Sequence, residues 1–129
     1  APVILTGGLA DAGQVREAFR LTGAAAVMLA RGALGNPWIF SQLVRGRELG
    51  PSAEEVLAEL DWTIDRAVEH LGADRATRYL RKFYPWYVAR LRLDSVTSKR
   101  LQESLQRAET LERARQLLAS GHAPAAAVA

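Results

Sequence analysis

No cysteine occurs among the 129 residues, which excludes disulfides, a thiol nucleophile and thiolate metal sites within this stretch. Histidine is nearly as scarce. His70 and His122 are the only two, too isolated for a metal site or a catalytic triad, and both are expected at the surface. Long hydrophobic runs are missing as well. The apolar runs last a few residues, far short of the ~20 that cross a bilayer, so no membrane association is expected. The chain opens at Ala1-Pro2 with neither Met nor a basic-then-apolar leader, which reads as a piece cut from a larger protein. Disorder is excluded by a content of 49% hydrophobic and 24% charged residues. The length suits one ordinary domain or two very small ones.

Acidic residues are absent from most of one region. Between residues 75 and 100 only Asp94 is acidic, against Arg75, Arg78, Arg81, Lys82, Arg90, Arg92, Lys99 and Arg100, a local balance of +7. Residues 1–74 carry −4, residues 101–129 cancel, and the total is +3. Tyr79, Phe83, Tyr84, Trp86 and Tyr87 are set among these cations, a mixture that suits a phosphate-rich polymer. A solvated helix face with its aromatics in a core gives the same composition.

The order of elements begins as strand, helix, strand. Pro2 to Leu5 is apolar and ends in Thr6-Gly7-Gly8. Asp11 caps a helix through Val15, Phe19 and Thr22 that Gly23 ends, and Ala26 to Leu29 is a second apolar strand before Arg31-Gly32-Ala33-Leu34-Gly35. Such an order gives parallel strands joined by a right-handed crossover, and strands apolar at successive positions are expected to be buried on both faces. Asn36 and Pro37 then start a helix as cap and first residue. Gly46 and Gly50-Pro51 mark a boundary, and beyond it the pattern is helical throughout. Ser52 and Glu55 form a capping box ahead of a stripe at Leu57, Leu60, Ile64, Val68 and Leu71. Asp74 opens the basic and aromatic helix, which Pro85 should kink or break before Trp86. Lys99–Leu105 and Thr110–Leu118 are two further amphipathic segments. The expected fold is therefore an α/β fragment followed by an all-α bundle, with residues 1–46 in the first part, 47–51 as linker, 52–120 in the bundle and 121–129 as a frayed tail. Two strands cannot cover both faces of a sheet, so the first part reads as the end of a larger parallel sheet or barrel that self-associates when alone.

Both strands end in glycines, which let backbone amides approach a ligand closely. Gly7 and Gly8 follow the first strand and Gly32 the second, with Arg31 beside it to add a charge-assisted contact. In (β/α)₈ barrels the loops after the last two strands form such a phosphate site. Elsewhere, Asp61 and Asp65 lie four apart on one helix, either as an acid–base pair or as a solvated face near Arg66 and Glu69. Trp86 and Tyr87 are expected to pack the bundle rather than stack on bases.

The stretch from Thr22 to Phe40, with Arg31-Gly-Ala-Leu-Gly-Asn-Pro-Trp38 at its heart, resembles the end of the barrel of tRNA-dihydrouridine synthases. Arg81-Lys-Phe-Tyr-Pro-Trp-Tyr87 is similar to the Arg-Lys-His-x-x-Trp-Tyr element of that family's helical domain in its bacterial branch. The resemblance runs to about residue 118. It implies the last two βα units of an FMN-binding TIM barrel followed by a tRNA-binding bundle. It implies further that Gly7, Gly8, Ala30, Arg31 and Gly32 hold the FMN phosphate and that Arg75, Arg78, Arg81 and Lys82 face RNA phosphates. The chain departs from the family pattern at Thr6 (Asn in the family), Gly8 (often Asp), Ala30 (Gly) and Phe83 (His).

The implied chemistry is reduction of uridine to 5,6-dihydrouridine in tRNA, with NADPH as reductant, in the cytoplasm. The family's catalytic cysteine and the groups facing the flavin ring belong to earlier strands, so the chain by itself is expected to be inactive, with no catalytic or metal-binding residue of its own. Two other readings stay open: the end of another FMN barrel, such as a dihydroorotate- or dihydropyrimidine-type dehydrogenase, and a non-catalytic helical RNA-binding module.

Overall fold

The apolar runs near each glycine loop pair as a parallel two-stranded sheet. In the computed structural model, which describes residues 1–121, β1 (Ile4–Thr6) lies beside β2 (Ala26–Met28) in the register Ile4↔Ala26, Leu5↔Val27 and Thr6↔Met28. The chain divides into two compact units, Ala1–Gly50 and Pro51–Ala129.

In the first unit α1 (Ala12–Thr22) connects the strands, and α2 (Trp38–Val44) follows a single 3-10 turn at Arg31–Ala33. The Gln14 amide donates to the Asp11 carboxylate at 2.8 Å, and the Gly23 amide closes the far end on the Phe19 carbonyl. Both ends of α1 thus satisfy groups that a helix cannot pair internally. Ala12, Val15 and Ile39 form the core, with Leu9, Val27, Leu29, Ala33 and Leu43 against it. The Arg16 guanidinium ties the two helices by donating to the Gln42 carbonyl at 2.6 Å.

Burial of the strands on both faces is not what forms. Side chains alternate across a strand, and while Val27 and Leu29 pack on the helices, Ile4 and Met28 remain 66% and 54% exposed. Both helices of the unit lie against the same face, leaving the other open. A second correction concerns Asn36. Pro37, not Asn36, occupies the cap of α2, without a side-chain cap bond. Asn36 is buried instead, its amide nitrogen 3.5 Å from the Gly32 carbonyl.

The second unit holds α3 (Ala53–Leu71), α4 (Ala73–Leu80), α5 (Tyr84–Ala89), α6 (Ser95–Arg107) and α7 (Leu111–Gly121). The capping box is formed: the Ser52 amide donates to Glu55 at 2.7 Å and the Glu55 amide to the Ser52 hydroxyl at 3.2 Å. The buried stripe of α3 is Val56, Leu60, Ile64 and Ala67, with Leu57, Val68 and Leu71 at its half-buried margins. It meets Ala76 and Leu80, Tyr84 and Val88, and Ala114 and Leu118 of the neighbouring helices in one core. Burial of each large side chain contributes about 1.5–3 kcal/mol. Gly121 closes α7, and the tail expected beyond it, with His122, lies outside the described residues.

The helix of the basic segment breaks earlier than Pro85 alone requires. It starts at Ala73 behind Gly72, one residue ahead of Asp74, and α4 stops at Leu80. Pro85 sits in the first turn of α5, where its missing N–H costs little. That missing donor leaves the Arg81 carbonyl without its helical partner, and the Gln106 side chain supplies one at 2.7 Å. The Arg81 guanidinium returns a bond to the Ala108 carbonyl at 3.2 Å. Asp61 and Asp65 likewise serve the bundle, gripping Arg115 of α7 at 2.9 and 2.6 Å.

The open sheet face predicts concentration-dependent association of the 129-residue chain, suppressed by Ile4→Lys with Met28→Lys. Analytical ultracentrifugation checks this. A monodisperse, cooperatively folded monomer at every concentration contradicts it.

Candidate phosphate-binding and nucleic-acid sites

Parallel pairing brings the carboxyl ends of β1 and β2 side by side, and the loops leaving them enclose a recess of about 310 Å³. Gly7, Gly8, Ala30, Arg31 and Gly32 all line it, with Thr6, Leu9, Ala10 and Met28. None of these residues is acidic, and Arg31 is exposed. Gly7 and Gly8 adopt φ of 99° and 70°, a left-handed conformation that side chains disfavour. Gly32 is glycine for another reason. A Cβ there would sit 2.1 Å from the Leu9 carbonyl oxygen, so the two loops touch at this point. The first loop is held further by the Ala10 amide, which donates to the Gln14 side chain at 2.8 Å.

Beside the apolar side chains of Leu9, Ala10 and Met28, the three glycines leave main chain bare and the Arg31 guanidinium brings positive charge to an anion. The residues therefore fit a phosphate group: charge-complementary, free of carboxylates, and bare enough for close backbone approach.

The basic segment is less uniform than its composition. Arg75 and Arg78 are exposed on α4, and Lys82 is exposed beyond its end. Arg81 is the C-terminal cap of α4 with helical φ and ψ, but unlike exposed Arg75 and Arg78 its side chain is half-buried and donates to the Ala108 carbonyl. A shallow recess holding Arg78 and Arg81 also holds Asp74 and Glu109, which balances its charge. Asp94, the lone acid of the segment, caps α6. The Thr97 hydroxyl and amide hold its carboxyl below the ordinary value, and the amide contact is 2.9 Å.

Tyr87 packs the bundle as expected. It is buried, its hydroxyl lies 3.4 Å from that of Thr63, and burial pushes its pKa up. Trp86 differs, being 38% exposed with its ring edge-on to Phe83 at 5.4 Å. Sequence reasoning also missed Trp62 of α3. Trp62 is 57% exposed, with the Arg66 guanidinium 5.7 Å from its ring centroid, and exposed His70 follows one turn later. The signal was available: Trp62 falls off the Leu60–Ile64 stripe, four residues before a cation.

Among known proteins, the family model for dihydrouridine synthase (Dus) matches residues 1–122. A probable tRNA-dihydrouridine synthase of Mycobacterium leprae is 33% identical over 92 residues, which cover 67% of this chain and 24% of that protein. The tRNA-dihydrouridine synthase B of Proteus vulgaris is 32% identical over 92 residues, covering 67% of this chain and 28% of its own length. A probable tRNA-dihydrouridine synthase of Rickettsia prowazekii is 30% identical over 91 residues, covering 67% and 28%. The chain thus spans only about a quarter of the length of these curated relatives.

Because the Gly32 Cβ would meet backbone, Gly32→Ala is expected to cost about 1–3 kcal/mol and to loosen both loops together. Gly7→Ala should cost about 1 kcal/mol through backbone strain at one loop only. Thermal unfolding with hydrogen exchange at residues 7–10 and 30–33 checks the pair. Unchanged protection of the first loop in Gly32→Ala contradicts the loop contact.

Proposed function

Because the chain belongs to the dihydrouridine synthase family, we propose that it is the part of a tRNA-dihydrouridine synthase that anchors the cofactor's phosphate and grips the tRNA. In this reading residues 1–46 are the last two βα units of an FMN-binding (β/α)₈ barrel, 47–51 are a linker, and 52–120 are the tRNA-binding bundle. The sheet supports it: helices cover one face, and the bare face with Ile4 and Met28 suits a barrel interior. The observation that carries the proposal is the acid-free recess gathering Gly7, Gly8, Ala30, Arg31 and Gly32 at the carboxyl ends of two parallel strands.

These backbone groups and Arg31 would hold the FMN phosphate. The departures at Thr6, Gly8 and Ala30 leave the main chain to make most contacts there. When bound, FMN supplies the redox chemistry for reducing the uracil C5=C6 bond, with NADPH as the reductant. This chain's residues bind and orient; none is assigned a proton-transfer role. Activity therefore requires the remainder of the barrel. The target uridine must leave its stack to react, so the protein must recognise folded RNA by its shape and phosphates. Arg75, Arg78 and Lys82 are exposed for phosphate contact. Arg81 adds charge while holding the turn before α7 through Ala108. The work is cytoplasmic, where tRNA is modified, and among the described residues no helix is long and apolar enough to cross a membrane.

The family match running through both units favours this reading over another flavin barrel or a stand-alone RNA-binding module.

Binding of unmodified tRNA, followed by fluorescence anisotropy, tests it. Affinity should fall linearly with the logarithm of salt concentration, and Arg75→Gln and Arg78→Gln should each lower that slope by about one. Affinity that ignores salt, or no binding, contradicts the proposal.

A further inference from the structure

One surface of the helical unit combines exposed aromatic rings with cations. Arg66, Ala67 and His70 of α3, with Tyr79 of α4 and Phe83 beyond it, line a recess of about 340 Å³. Its lining is mostly apolar, and no acidic residue contributes to it. Tyr79 is 44% exposed, and its ring centroid lies 5.1 Å from that of Phe83, tilted by 48°. Phe83 in turn meets the edge of Trp86, so three rings run in a row along the segment. The Lys82 ammonium sits 4.2 Å from the Tyr79 centroid and 5.2 Å from that of Phe83.

Rings left in water forgo the stabilisation that burial brings, and a row of them beside cations marks a contact surface. The charge selects the occupant. Arg66 and Lys82 both ride over rings, and Arg75 lies one turn before Tyr79 on α4. Glu69 pairs with Arg66, and among the residues lining the recess none is acidic. A partner must therefore bring flat apolar faces and negative charge together. An unpaired nucleotide does this: its base stacks on an aromatic ring while its phosphate meets a cation.

We propose that the recess between α3 and α4, walled by Tyr79 and Phe83 with the Lys82 ammonium against both rings, is a stacking subsite for an unpaired nucleobase of the bound RNA. The inference rests on the tRNA reading above and adds to it a subsite that reads bases rather than backbone.

The test uses the 129-residue chain with two single-stranded probes of about a dozen nucleotides, an oligouridine ribonucleotide and an abasic oligomer of equal phosphate number. The wild-type chain should bind oligouridine between about fivefold and a hundredfold more tightly than the abasic oligomer. Tyr79→Leu should erase that preference without changing the salt slope, and Tyr79→Trp should retain it. Lys82→Gln, a second variant at an exposed position, should weaken both probes and lower the slope by about one. No preference in the wild type, or an equal preference in Tyr79→Leu, overturns the subsite. A change in the RNA-free sedimentation of Tyr79→Leu, with the base preference intact, makes the patch a protein interface and also overturns it. Salt-dependent tRNA binding without a base preference sinks the subsite alone. Absence of salt-dependent tRNA binding by the wild type sinks the tRNA reading itself.

Discussion

Parallel pairing of Ile4–Thr6 with Ala26–Met28 decides which loops can meet. Antiparallel strands would send the Gly7-Gly8 and Arg31-Gly32 loops to opposite ends of the sheet. In the parallel register both leave from the same end, and α1 provides the crossover that parallel strands require. Contact then becomes tight enough that a Cβ on Gly32 would lie 2.1 Å from the Leu9 carbonyl oxygen, and only a residue without Cβ fits. The recess follows from this one constraint. Its acid-free lining gives it a sign, and Arg31 strengthens that sign.

The helical unit solves a different problem, that of carrying a strongly basic segment without losing its core. Pro85 forces a break, and the break is repaired from α6: Gln106 takes the orphaned Arg81 carbonyl and Ala108 receives the Arg81 guanidinium. Burying an arginine beside a helix break lowers the number of cations free for a ligand, but it fixes where α4 ends. Asp61 and Asp65 face Arg115 rather than the basic segment, and Asp94 is occupied as a helix cap. These three acids are thereby occupied elsewhere, while Asp74 and Glu109 share a recess with Arg78 and Arg81.

Features set by a few neighbouring residues were legible in the sequence. The Asp11 cap and the Ser52–Glu55 box depend on groups three residues apart, and both formed as read. The glycine loops were legible because Gly7, Gly8 and Gly32 punctuate apolar runs. Features set by distant partners were not. The apolar runs of β1 and β2 suggest burial on both faces, and the strand count implies an uncovered face, but nothing local says that Ile4 and Met28 lie on it. Asn36 looked like a cap because Pro37 follows it, yet the Gly32 carbonyl lies within its reach and the core encloses it. Arg81 stands with Arg75 and Arg78 in the basic segment, but its guanidinium is taken by the Ala108 carbonyl, a partner 27 residues away. Trp62 is not readily legible as exposed because an indole ordinarily joins a core, whereas its ring lies off the buried Leu60–Ile64 stripe of α3.

The central claim is that the two glycine loops together hold a phosphate group. Amide chemical shifts of the isotopically labelled chain, titrated separately with FMN and with riboflavin, test it most directly, because the two ligands differ by that group alone. FMN should move the Gly7, Gly8, Arg31 and Gly32 amides in both loops at once, inorganic phosphate should reproduce the pattern, and riboflavin should leave these amides in place. Equal responses to FMN and riboflavin, or a response confined to one loop, would contradict it.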